Sequence, residues 1–575
     1  MNSRWAWHES MASKDLDPRE AGRIGGGGSR LSGAREGGCA EGELRLRPGM
    51  RCLRRIVVRM QLNMAGLSLT SALALGCLSA GVPNEGPDSL EQPNIVLFMV
   101  DDLGWQDTSV ALHSESTAFN NRYRTPNVER LAREGVSFTN AYAAAPVCTP
   151  TRTSLMTGQD PARTHITFWT LNKDRDTSKS HPTLDPPKWS MNGLGAGQAT
   201  LPGQLAAAGY HTIHVGKAHF GAHDTSGADP IALGFDVNIA GHASGAPASF
   251  YGTHNFSQAG RTGKPATGKS VWDVPGLEKY HGKDVYLTEA LVSETLPAMR
   301  SAHASGKPFF LHFATYAVHA PIMANKKLLD HYPDLDAREA AYATMVETYD
   351  NALGDLLAEL DELGIADETM VIFASDNGGL SAHARGGEPH IHNAPLRSGK
   401  GSAYEGGVRV PTLVRWPGVA QPRRRVDTPI STPDLFTTIL LAASAEIPKQ
   451  DEQTVDGVDI TPLLRGASEE FQARTLGWHQ PHQWGAKGPG IEPFTSIREG
   501  DWKLIWFHGR RRFELYDLSK DIGERNDLAQ SIPGRVLQLA DVMQSWIDDR
   551  GAQLSIKAAT GKPILGPAAV ARGLH

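Results

Sequence analysis

Residues 94–107 read NIVLFMVDDLGWQD, and the fold follows from this stretch. Asn94 to Val100 form a continuous apolar run, as expected of a strand buried on both faces. The run ends directly in two adjacent carboxylates, Asp101 and Asp102. Downstream, strand and helix patterns alternate. TPNVERLAREG has Thr125 as an N-cap, Pro126 at the first helical position and Gly135 at the stop, and VSFTNAY then reads as one strand. LPGQLAAAGYHTIHVGK reads as a helix, a Gly209 stop and a strand. KPFFLHFATY is another strand, a long helix follows from about Asp336 to Leu363, and Thr369 to Ser375 returns as a strand. This alternation predicts an α/β fold with a large, mostly parallel sheet flanked by helices. Active sites in such sheets gather at the carboxyl ends of the strands, so the polar residues just past each strand are the ones to weigh.

The chain has 575 residues, 40% apolar and 21% charged, with a net charge of −6. That balance suits a soluble protein with a substantial core. It lacks the basic excess that nucleic-acid binding requires. Residues 1–59 are polar and Gly/Arg-rich, and are expected to be disordered or to precede the true start at Met60 or Met64. Arg51, Arg54, Arg55 and Arg59 then lead into MAGLSLTSALALGCLSAG, so 60–80 reads as a secretory signal peptide. The run is too short for a stable membrane span. LALGC, ending at Cys77, is a loose lipoprotein-type match, so the expected location is periplasmic, extracellular or lipid-anchored. Residues 92–470 read as the catalytic domain. Past about Arg474 the texture changes to short antiparallel strands and a closing amphipathic helix, so 471–575 reads as a smaller C-terminal α+β subdomain with an antiparallel sheet. The Gly-, Ser- and His-rich stretch from Gly221 to Lys269 reads as a long surface insertion.

Of the four cysteines, Cys39, Cys52 and Cys77 lie upstream of the folded region, which leaves Cys148 alone in an exported chain. It stands in PVCTPTRTSLMTG, residues 146–158, which reads as a short helix starting beside the cysteine and stopping at Gly158. A helix N-terminus favours an anion, and Arg152, one turn on, lies on the same face. Asp101 and Asp102 would repel each other without a cation, and hard oxygen ligands suit Ca²⁺ or Mg²⁺. Asp376 and Asn377, in FASDNGG, offer a carboxylate and an amide oxygen to the same cation. In GKAHFG, Lys217 and His219 are two residues apart in an extended segment and so face one side, a cation beside a proton donor. His319 follows a strand in YAVHAP, and Lys400 sits among glycines that permit close approach to a ligand.

CTPTRTSLMTG resembles the sulfatase signature Cys-x-Pro-x-Arg followed by Thr-Gly. The Asp-Asp pair, GKAHFG, HAP, SDNGG and GKGSAYEGGVRVP match the same family in the same order over roughly Asn94 to Arg415. REGDWKLI and ELYDLSKDIGERNDLA resemble the end of a type I sulfatase. The resemblance implies an alkaline-phosphatase-like fold. It implies conversion of Cys148 to Cα-formylglycine by a formylglycine-generating maturation enzyme, and a hydrated aldehyde as nucleophile, polarised by Arg152. One calcium ion would be bound by Asp101, Asp102, Asp376, Asn377 and an oxygen of residue 148. Lys217, His319 and Lys400 would hold sulfate oxygens, with His319 or Lys400 protonating the leaving alcohol. His219 would help collapse the sulfated hemiacetal to aldehyde. Thr151 and Ala218 stand where the family often has Ser or Ala and Trp, respectively.

The expected substrate is a sulfated carbohydrate or aryl sulfate. A phosphatase or phosphodiesterase of the same superfamily is the alternative, disfavoured by the cysteine and by a single cation cluster. An inactive scaffold that kept the fold is disfavoured by the intact polar set. Gly221–Lys269 and His383–Asn393 are expected to line the pocket mouth, with His383, Arg385, His390 and His392 available to a polar leaving group.

Overall fold

A computed structural model describes residues 92–264 and 270–574. The readings of 1–59 and 60–80 lie outside the described residues. The run Asn94–Val100 is strand β1, buried along almost its whole length. Its side chains alternate between two cores: Val96, Phe98 and Val100 enter one, Ile95, Leu97 and Met99 the other. That is the period-two geometry of a strand covered on both faces.

The other strands of the main sheet are β2 (Val136–Phe138), β3 (His211–Gly216), β4 (Val237–Ile239), β5 (Phe309–Ala314), β6 (Thr369–Ser375), β7 (Thr412–Arg415) and β8 (Arg424–Val426). The order across the eight-stranded sheet is β8-β2-β7-β6-β1-β5-β3-β4. All neighbours pair in parallel except at β7, which runs against β2 and β6. The main helices are α1 (Pro126–Glu134), α2 (Cys148–Thr157), α3 (Leu287–Ala304), α4 (Ala337–Glu362), α5 (Thr432–Ala442) and α6 (Pro533–Arg550). Residues of α3 and α4 cover one face of the sheet, and residues of α2 and α5 the other. The Asp336 side chain caps α4, accepting from the Arg338 and Glu339 amides.

The C-terminal sheet is fully antiparallel: β9 (Leu476–Gln480), β10 (Phe494–Glu499), β11 (Trp502–Phe507) and β12 (Arg512–Asp517). Leu539, Met543 and Trp546 of α6 pack with Ile497, Leu504, Trp506 and Leu515. The opposite face, with Trp478, Ile505 and Phe507, packs on Tyr142, Ala403, Tyr404 and Val408. Lys503, fully buried, reaches Glu405 at 2.8 Å and Glu524 at 3.0 Å. The C-terminal sheet therefore braces the segment that follows Lys400.

Three expectations are corrected. VSFTNAY is not one strand: Val136–Phe138 belongs to the main sheet, whereas Ala141–Tyr142 pairs with Ile430–Ser431. The chain bends there because Tyr142 leaves the main sheet to hydrogen bond with Glu405. Thr125 is the N-cap residue of α1 as expected, but its side chain does not cap the helix: its hydroxyl accepts from the Ser109 amide. Asp350 of α4 does so from outside, accepting from the Asn127 and Val128 amides. Residues 221–264 are not a surface insertion: they contribute edge strand β4 and bury Phe250, Phe256, Ser244 and Ser249.

Candidate active site

Four strand ends and one helix start meet at one rim. β1 delivers Asp101 and Asp102, β3 delivers Lys217, β5 is followed by His319, and β6 delivers Asp376 and Asn377. Cys148 opens α2, and Lys400 comes from the turn ahead of the one-turn helix Glu405–Val408. These eight residues lie together at that rim.

Cys148 is the first residue of α2 and is 3% exposed. Gly158 ends that helix at φ 68°, returning its amide to the Ser154 carbonyl. The Lys400 Nζ lies 3.4 Å from the Cys148 Sγ and 2.6 Å from the Asp102 Oδ1. Lys217 Nζ lies 2.7 Å from Asp101 Oδ2 and 3.5 Å from Asp376 Oδ2. Arg152, with no exposed surface, donates through Nε to Asp376 Oδ2 and through a terminal nitrogen to the Lys217 carbonyl, both at 2.7 Å. Three buried carboxylates are thus matched by three buried cations, the condition under which such charges are tolerated.

Oδ1 of Asp101, Oδ2 of Asp102 and Oδ1 of Asn377 are buried without a hydrogen-bond donor, while Oδ2 of Asp101 meets Lys217. Orphaned buried oxygens cost stability unless a partner is supplied, and a cluster of hard oxygens fits a Ca²⁺ or Mg²⁺ ion. Asp101, Asp102, Cys148 and His319 each bring a ligand atom within 4.8 Å of the others. The oxygens of Asp376 are more engaged, accepting from Arg152 and from the Asp102 amide. The Asn377 amide nitrogen donates to Asp102 Oδ1, which fixes the amide beside the cluster.

The electrostatics follow from burial and these partners. Burial pushes the Cys148 thiol up, against the pull of Lys217 and Lys400. Burial also lowers His319, helped by Lys400, to about 3, so its ring is neutral. For Lys400 burial opposes protonation, but Asp102 and its neighbours outweigh it and hold the ammonium well above its ordinary range. His319 Nδ1 donates to the Ala320 carbonyl at 2.7 Å, and its Nε2 faces Asp102 Oδ2 at 3.6 Å.

His219 reaches the site by another route than expected. The segment after Lys217 is not extended: His219 takes φ 54°. Its Nε2 lies 2.9 Å from both the Thr170 carbonyl and the Thr149 hydroxyl. A carbonyl only accepts, so Nε2 carries the hydrogen and Nδ1 keeps its lone pair. Nδ1 is buried without a partner, and burial followed by Lys217 keeps the ring neutral. Gly245 makes room for it, since a Cβ there would stand 2.4 Å from Nδ1. Thr149, Thr170 and Gly245 carry no sequence signal of their own, because their contacts cross long separations.

Of the loop residues expected at the pocket mouth, His383 is exposed and His390 partly so. Arg385 and His392 are instead structural. The Arg385 guanidinium is buried, paired with Asp107 at 3.0 Å and Glu339 at 2.8 Å and stacked on Tyr342. His392 is fixed between Ser381 and the Gly386 carbonyl. Polar residues in this loop were drawn inward because Asp107 and Glu339 are buried acids that need a cation.

Fold and site define a hydrolase of the alkaline phosphatase superfamily, its centre arranged around a cysteine at a helix start. The chain belongs to the sulfatase family: the sulfatase family model matches residues 93–445 and the model of the N-sulphoglucosamine sulphohydrolase C-terminal region matches 399–546. It is 30% identical to a sulfatase of Formosa agariphila over 82% of this chain and 91% of that one. It is 32% identical to the N-acetylgalactosamine-6-sulfatase of Rattus norvegicus over 79% and 85%. Among solved structures, Ps i-CgsB in complex with k-i-k-neocarrahexaose superposes with a TM-score of 0.64 at 26% identity, covering 80% of this chain and 94% of that one. The protein is a type I sulfatase, a hydrolase of sulfate esters.

Proposed function

We propose that the enzyme releases sulfate from a sulfated carbohydrate, with aryl sulfates as simpler substrates. It would use a formylglycine formed from Cys148 and one Ca²⁺ held by Asp101, Asp102, Asp376 and Asn377. The observation that carries this reading is the set of unpartnered buried oxygens beside a cysteine in the sequence CTPTR. Hydrated formylglycine would supply a nucleophilic hydroxyl with a second hydroxyl on the same carbon. A bound Ca²⁺ would supply positive charge to the site.

The chain's own residues do the rest. Lys217 and Lys400 bring ammonium donors to the sulfate position, with His319 beside them. His319 or Lys400 would protonate the departing alcohol. The free Nδ1 of His219 suits it to take a proton. Arg152 fixes Asp376 and the Lys217 backbone in one grip.

The name of the rat relative and the oligosaccharide in the neighbouring structure support a sulfated glycan as substrate. Export follows from the signal-like 60–80 stretch. Because Cys148 is buried, the maturation enzyme must meet its peptide before the fold closes.

The peptide containing Cys148, from protein co-expressed with a formylglycine-generating system, should lose one sulfur and two hydrogens and gain one oxygen in mass. An unmodified thiol with no aryl-sulfate turnover would sink the reading. Ca²⁺ should raise the melting temperature of the wild type and leave Asp102→Ala unmoved.

A further inference from the structure

We propose that Trp169 and Trp484 form a stacking subsite for the sugar ring that carries the sulfate, at the edge of the oxyanion pocket. The proposal rests on the sulfated-glycan reading above and specifies it.

Both indoles are fixed to the catalytic groups. Val147, the residue before Cys148, forms a buried cluster with Phe168 and Trp189, and Trp169, Met191 and Trp484 pack half-buried against it. Trp484 lies against Gly401: a Cβ at that glycine would stand 2.2 Å from its Cε3. The Gly401 amide donates to the Pro146 carbonyl at 2.8 Å. Trp484 thus covers the backbone that ties the Lys400 turn to the segment before Cys148. Trp169 is next to Thr170, whose carbonyl meets His219 and whose amide donates to Thr149.

Neither indole is placed as a core residue. Trp105, Trp478 and Trp506 are each 1% exposed or less, whereas Trp169 and Trp484 are only partly buried. A pyranose has an apolar C–H face, which suits an indole face. The exposed His383 ring lies 6.2 Å from that of Trp484. The Lys179 amide donates to the Gln483 carbonyl, which sets an exposed lysine next to Trp484 and suits further anionic groups on a sulfated chain.

The test is calorimetric binding of a defined sulfated oligosaccharide, and separately of inorganic sulfate, to Cys148→Ala protein, with and without Trp484→Leu or Trp169→Leu. Leucine keeps apolar bulk and removes the flat ring. Each leucine variant should weaken the oligosaccharide about 10-fold, and Trp484→Phe should restore most of it. Inorganic sulfate should bind unchanged. Unaltered oligosaccharide binding in both leucine variants would overturn the proposal, as would a parallel loss of sulfate affinity, which would mark the indoles as packing for the pocket. The two readings separate cleanly. If formylglycine-bearing wild type fails to hydrolyse any sulfate ester while the tryptophan-dependent binding persists, the catalytic reading falls and the subsite stands. If turnover of the oligosaccharide is normal in both leucine variants, the subsite falls and the catalytic reading stands.

Discussion

The Nζ of Lys400 lies 3.4 Å from the Sγ of Cys148, across 252 residues of chain. An ammonium held this close to the reacting position acts where charge develops. Lys400→Met should therefore lower kcat by roughly 10²–10³-fold. The readout is steady-state turnover of an aryl sulfate by formylglycine-bearing enzyme, with circular dichroism to confirm the fold.

Arg152 joins Asp376 to the Lys217 carbonyl and is wholly buried. Removing one member of a buried pair strands the other charge, so Arg152→Ala should cost about 3–5 kcal/mol. Arg152→Lys keeps the charge but lacks the planar fork that meets both partners. It should fold more stably than the alanine variant and still lose most activity. Urea titration and kcat measured on both variants check this.

Glu339 is buried with Arg385, Arg122 and Tyr123. Burial alone would raise its carboxyl, but Arg385 and its hydrogen bonds prevail and bring it from 4.5 down to about 2. The folded state then holds its proton more weakly than the unfolded one. The stabilisation is fully present above about pH 4.5 and is lost as pH falls towards about 2, a swing of roughly 3 kcal/mol. Glu339→Gln should flatten this part of the stability–pH curve, measured by denaturant midpoints between those limits.

Gly245 leaves the room that the His219 ring occupies. Gly245→Ala should displace the ring and lower kcat by about 10²-fold, with little change in KM, if His219 moves a proton. Equal losses in kcat and in binding of inorganic sulfate would contradict that division.

The corrections share a physical cause. Arg385 looks like a loop cation from its neighbours in HARGGEPHIHN. It is buried because Asp107 and Glu339, each more than forty residues upstream, need it. The glycine-rich 221–264 stretch has no periodicity to mark it as packed, yet it supplies β4 and the Gly245 cradle. Extended backbone would set His219 on the side of Lys217, but His219 arrives through a left-handed turn and is held by Thr149 and Thr170.

What the sequence determined by itself was the mostly parallel sheet, from apolar runs ending in polar residues, and, through its resemblance to the sulfatase motifs, the candidate groups around Cys148. What only the tertiary structure decided was their partnership. That Asp101, Asp102 and Asn377 share unpartnered oxygens, that Arg152 grips Asp376, and that Trp484 covers Gly401 depend on contacts between distant segments. Such contacts are fixed by how strands order in the sheet and how buried charges find their counter-charges, and neither leaves a mark in the residues beside them.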